Sequence, residues 1–179
     1  MANILRNLGK AVLLLLGVLA AALLAYDGVA VRPHLDQIEE ILAEANPQDA
    51  SPPELVRKLI DANAGSPTPY ATTLVTARFY SGLSQGQWQL RNALWGVLLP
   101  IHLGKSKMYG LYATLAYNGT DHGLSNFASR DYGKSLHELS PMQAANTVAV
   151  THAPTIYVRD RDRLSQRAAV LLSRSGHAR

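Results

Sequence analysis

The chain has 179 residues and no cysteine, enough for one domain with a sizeable core once any targeting segment is set aside, and incompatible with a disulfide framework or a thiolate metal site. Its formal charge is +4, and the segment from Arg159 onward supplies all of it, with Arg159, Arg161, Arg163, Arg167, Arg174 and Arg179 set against Asp160 and Asp162. The basic character is therefore a C-terminal feature, suited to a solvated helix face with acid–base pairs or to phosphates and anionic lipid headgroups.

The first predicted element is an apolar helix. Arg6 and Lys10 precede AVLLLLGVLAAALLAY, the uncharged run from Ala11 to Tyr26, and after Asp27 the apolar character resumes over residues 28–31. A spanning helix needs roughly 20 apolar residues, with about 17 as the lower limit, so this run suffices for one span if Leu8 and Gly9 join it and Lys10 reaches to the interface. Basic residues in front of a span stay in the cytoplasm. The expectation is a single-pass protein of the inner (cytoplasmic) membrane whose domain lies on the periplasmic or extracytoplasmic side. A cleaved signal peptide is the alternative, since Ala20-Ala-Ala-Leu-Leu-Ala25 offers small residues to a peptidase, and a buried soluble helix is the third reading. The expected division is 1–32 as cytoplasmic start and membrane anchor and 33–179 as one helical domain.

Beyond Arg32 helix follows helix. Leu35, Ile38, Ile41, Leu42 and Ala45 form an apolar stripe with Asp36, Glu39, Glu40 and Glu44 off it. Ser51-Pro-Pro-Glu54 reads as a capping box with proline at the first helical position, followed by Leu55, Val56, Leu59 and Ile60 at helical spacing. Segments 70–82, 87–103 and 106–117 are each apolar on one face, and Pro100 is expected to kink or end its helix. Residues 105–134, KSKMYGLYATLAYNGTDHGLSNFASRDYGK, predict a helix, a glycine-rich turn and a second short helix ending in Tyr132-Gly-Lys134. Asn118-Gly-Thr120 fits a glycosylation sequon, but the Asn-Gly pair reads more simply as a turn. Ser140-Pro-Met-Gln143 repeats the helix-start signal before Ala144, Ala145 and Val148. β-rich runs such as 147–151 are too few to build a sheet, so the fold class is all-α.

Most familiar chemistries are missing. The six histidines are scattered, none in a His-Glu-x-x-His spacing. No serine sits in a nucleophile elbow, and there is neither a phosphate loop nor a dinucleotide fingerprint. Aromatic residues are not interleaved with a basic groove, so nucleic acid is not an expected partner.

One ordered series does carry a signal. Lys105, Tyr112, the Tyr117-Asn118-Gly119 turn, Gly123, Tyr132-Gly133-Lys134, a Leu139-x-x-x-x-Ala144-Ala145 helix, Pro154-Thr-Ile-Tyr157 and a closing helix over Arg163 to Leu172 follow one another. In this order they resemble the second half of the bacterial peptidoglycan glycosyltransferases, glycosyltransferase family 51, and the likeness reaches back more weakly to about residue 35. The resemblance implies a lysozyme-like helical transglycosylase domain acting on the lipid-linked disaccharide precursor of the cell wall, at a membrane and alongside other cell-wall synthases. It also implies a divalent cation such as magnesium as the candidate cofactor. In such chemistry a carboxylate deprotonates the acceptor hydroxyl while cationic groups hold the departing pyrophosphate.

By that resemblance Glu44 falls at the first catalytic glutamate, without the aspartate, phenylalanine and histidine that accompany it in the family. The family's downstream basic residue falls on Thr76, with Arg78 close by, and the second glutamate falls on Asn92, preceded by Arg91. Lys105 and Tyr112 match family positions, whereas Thr114 and Gln143 stand where an asparagine and an acid belong. The roles implied are Glu44 as base and Arg78, Arg91, Asn92, Lys105 and Tyr112 as precursor-binding residues. A non-catalytic regulator that binds precursor or partner, and a glycan-cleaving enzyme using Glu44 as general acid, are the alternatives.

Overall fold

The computed structural model describes residues 2–176. The chain forms two compact units, Met1–Gln37 and Ile38–Arg179. The first contains α1 (Ala2–Tyr26), a π-helical turn at Asp27–Val31 closed by an Arg32–Asp27 ion pair of 2.8 Å, and a single 3-10 turn at Arg32–His34. Leucines 13 to 16, 19 and 24 of α1 are 56–73% exposed. The continuous helical stretch Gly9–Glu44 contains an eighteen-residue window of mean hydropathy 2.3, so it is long and apolar enough to cross a membrane.

Helix α2 (Leu35–Glu44) leads into the second unit, which continues with α3 (Pro47–Ala50), α4 (Glu54–Ala64), α5 (Pro67–Phe79), α6 (Gln85–Leu115), α7 (Leu124–Tyr132), α8 (Pro141–Ala149), α9 (Pro154–Tyr157) and α10 (Arg161–Arg174). Among the described residues there is no strand, only an isolated bridge between Tyr117 and His122. α5 lies along α6, and α8 packs against both α4 and α10. The core between them is built on Trp95, Tyr112, Phe127, Leu59, Met108 and Leu164, all essentially inaccessible to solvent.

Three local expectations are refined or corrected. Ser140 starts α8 as a full capping box: its hydroxyl accepts from Gln143 N, and Gln143 Oε1 accepts from Ser140 N. The matching motif at Ser51 does not cap α4. The first proline of Ser51-Pro-Pro is followed by a second, and a residue before proline is pushed out of the α region, so α4 begins only at Glu54 with Pro53 as its N-cap. The Ser51 hydroxyl accepts from Arg57 Nη2 instead.

Pro100 neither ends its helix nor marks the break. α6 runs through it, held by the buried Leu98, Leu99 and Leu103, and departs from helical geometry at Gly104, where φ is 73° and ψ 164°. That left-handed φ is open to glycine at little cost, which makes position 104 the point of least resistance. The Asn118-Gly pair is indeed a turn. Asn118 is fully buried, its Oδ1 accepts from the backbone of Thr120 and Asp121, and its Nδ2 donates to Asp121 and to Gly123 O.

Candidate functional site

Glu44 is the last residue of α2 and Arg78 lies in the last turn of α5; Thr114 is the penultimate residue of α6, and His122 sits in the loop beyond it. These four side chains line one cleft of about 510 Å³, whose apolar walls include Ile41, Leu74 and Leu115. The volume falls in the range usual for small-ligand sites. Glu44 and Arg78 are both exposed, and neither has a hydrogen-bond or ion-pair partner among the described residues. The Thr114 hydroxyl is buried and unpartnered. The His122 ring leans on Tyr117 at 5.5 Å between centroids. A carboxylate, a guanidinium, an imidazole and a hydroxyl on one concave surface can accept a proton from a hydroxyl and hold an anionic group.

The remaining residues singled out from the sequence lie elsewhere. Arg91 stacks its guanidinium 3.5 Å over the Tyr80 ring. Asn92 Oδ1 accepts from the buried Thr76 hydroxyl at 2.5 Å. Thr76 and Asn92 are the positions at which the resemblance sets a basic residue and the second glutamate; they meet here as a neutral pair, which is far less costly to bury than an unbalanced charge. Lys105 sits 3.6 Å from Asp61 and 5.4 Å from the Tyr109 ring, and its hydrogen bond to Tyr109, helped by Asp61, holds its pKa above the usual lysine value. Tyr112 is buried at 5.1 Å from Tyr70, its hydroxyl 2.7 Å from that of Thr151 and accepting from Asn63 Nδ2 at 3.2 Å. Burial pushes the Tyr112 phenol up.

No family model, no curated protein and no solved structure matches this chain.

Thr114 and His122 were not among the residues read from the sequence as a site. Thr114 is visible there only as a departure at an expected asparagine, and His122 only as a titratable side chain inside a glycine-rich loop, a setting in which functional groups concentrate. Magnesium takes oxygen donors and is commonly held by one or two carboxylates together with substrate phosphates. The cleft supplies a single carboxylate, Glu44, and the described residues contain no group of three His, Cys, Asp or Glu placed to hold a metal ion. Glu44 is thus the side chain in the cleft that would hold such an ion, together with substrate phosphates.

Proposed function

We propose that this chain is a divergent, membrane-tethered protein of the peptidoglycan glycosyltransferase type, acting on the lipid-linked disaccharide precursor from the extracytoplasmic side of the inner membrane, with a lysozyme-like helical domain. The observation that carries this reading is the cleft in which Glu44 and Arg78 stand together unpartnered. Glu44 takes the proton of the acceptor sugar hydroxyl as that oxygen attacks the anomeric carbon, and Arg78 holds the departing pyrophosphate. A helix apolar enough to span a bilayer on the same chain supports it, because a polyprenyl-linked donor resides in that bilayer.

A second reading, a precursor-binding regulator without turnover, is favoured by one observation: the second acidic position is Asn92, already engaged by Thr76. An asparagine hydrogen-bonds a sugar or phosphate but carries no charge. Loss of one preorganised electrostatic contact costs on the order of 10²-fold in rate.

The purified full-length protein is assayed for polymerisation and for binding of lipid-linked disaccharide, beside Glu44→Gln and Arg78→Gln. The enzyme reading expects polymer from the parent protein, a drop of about 10²-fold or more in Glu44→Gln with binding retained, and weakened binding in Arg78→Gln. Equal polymerisation by the parent and Glu44→Gln removes Glu44 as the base. Binding that is lost in Arg78→Gln, with no polymer from any form, selects the regulator. Absence of both activities from the parent refutes both readings.

A further inference from the structure

We infer that a second ligand site, specific for a small amphiphilic oxyanion, lies between α9 and α10 and is organised by Arg167. It shares no lining residue with the Glu44 cleft and does not rest on the reading given for that cleft. A cavity of about 400 Å³ is lined there by Arg167, Arg163, His152 and Tyr157, with Ile156 and Val170 adding apolar surface.

Arg167 is held rather than loose. Its Nη2 donates to Asn63 Oδ1 at 2.9 Å; Asn63 in turn donates to the Tyr112 hydroxyl, which is paired with Thr151, so the guanidinium is tied to α4, α6 and the turn after α8. A guanidinium has five N–H donors and no acceptor. This one places a single hydrogen bond through Nη2; its Nε is buried without a partner and closed to the cavity, its Nη1 is neither bonded nor buried, and among the described residues no carboxylate lies within ion-pair distance. A half-buried, immobilised cation with unspent donors beside an open cavity is poorly satisfied by the protein alone, and a ligand oxyanion completes it. Neighbouring cations on α10 are already balanced, Arg161 by Asp131 and Arg163 by Asp160. Arg167 is therefore where the uncompensated charge sits in this cavity.

The rest of the wall sets the ligand class. His152, Tyr157 and Gln166 offer further polar contacts to a phosphate or carboxylate head. Ile156 and Val170, 49% and 42% exposed, are apolar surface left to solvent at the same cavity, fit to cover a short aliphatic body. The ligand is a phosphate monoester or carboxylate bearing such a body.

Calorimetric titration of the full chain in non-ionic detergent with inorganic phosphate, hexyl phosphate and hexanoate tests this. Binding of at least one hexyl probe, more tightly than inorganic phosphate and weakened at least tenfold in Arg167→Gln, is expected; which head binds better separates phosphate from carboxylate sources. Circular dichroism of Arg167→Gln reports whether its fold is kept. Should that variant not fold, Ile156→Ser, which alters only an exposed side chain, is expected to reduce the preference for a hexyl probe over inorganic phosphate at least threefold. The site is refuted if no probe binds, if a folded Arg167→Gln binds unchanged, or if Ile156→Ser leaves the preference untouched.

Discussion

Replacing Asp49 by asparagine is expected to remove a pH dependence from folding that can be sized in advance. Asp49 sits in α3, only 3% exposed, and its Oδ1 accepts from Ser125 N at 2.9 Å, capping α7 from a distant part of the chain. Burial raises its pKa from 3.8 to about 6, outweighing the downward pull of the hydrogen bonds from Ser125 and Leu124. The folded pKa is thus above the unfolded one, so between these values the native state binds more protons than the unfolded state. Stability supplied through this group is full below about pH 4 and is lost as pH rises through about 6. A shift of roughly two units corresponds to about 3 kcal/mol.

Asparagine keeps an oxygen for the Ser125 N–H and cannot ionise. The unfolding free energy of the parent minus that of Asp49→Asn, from urea denaturation followed by circular dichroism, is therefore expected to fall by about 2.4 kcal/mol between about pH 4 and pH 7. Taking the difference cancels every other titrating group. A difference that stays flat across this range, or that rises, refutes the reasoning that desolvation dominates at Asp49.

Two further predictions concern stability. Ser140→Ala removes a realised capping box and is expected to cost about 1 kcal/mol, whereas Ser51→Ala, despite the matching sequence motif, is expected to change stability by less than about 0.5 kcal/mol; paired thermal melts check both. Gly110→Ala would place a Cβ 2.4 Å from the Ala50 carbonyl oxygen and 3.0 Å from Leu42 Cδ2. Because a backbone atom cannot turn aside, the loss is expected at or above the roughly 1–3 kcal/mol usual for overpacking, measured by urea denaturation.

The helices were legible because their signals are local. The stripe on α2, the Ser140 start and the Tyr132-Gly133 stop each need only a few neighbouring residues, and each element stands near where those residues put it. The failures are equally physical. The Ser51 motif misleads because a second proline vetoes the first, and Pro100 does because long-range packing of Leu98, Leu99 and Leu103 sustains a helix through a missing hydrogen bond. Site residues were harder. Glu44 and Arg78 do line one cleft, but Arg91, Asn92, Lys105 and Tyr112 are taken up by Tyr80, Thr76, Asp61 and Thr151, partners from 11 to 44 positions away that no local pattern reveals. Arg167 looked like one more charge of a basic tail. Only its bond to Asn63, across 104 positions, distinguishes it.

The break at Gly104 also resets the phase of a helix. Ahead of it Trp95, Leu98, Leu99 and Leu103 bury one side while Leu90, Val97 and Ile101 face outward; behind it every residue from Met108 to Ala113 is buried, so the segment is enclosed all round. No single 3.6-residue wheel drawn over Gln85–Leu115 can describe both halves. One torsion lets a half-exposed rod and one whose residues 108–113 are enclosed share a continuous chain, and the enclosed turns carry Thr114 to the cleft.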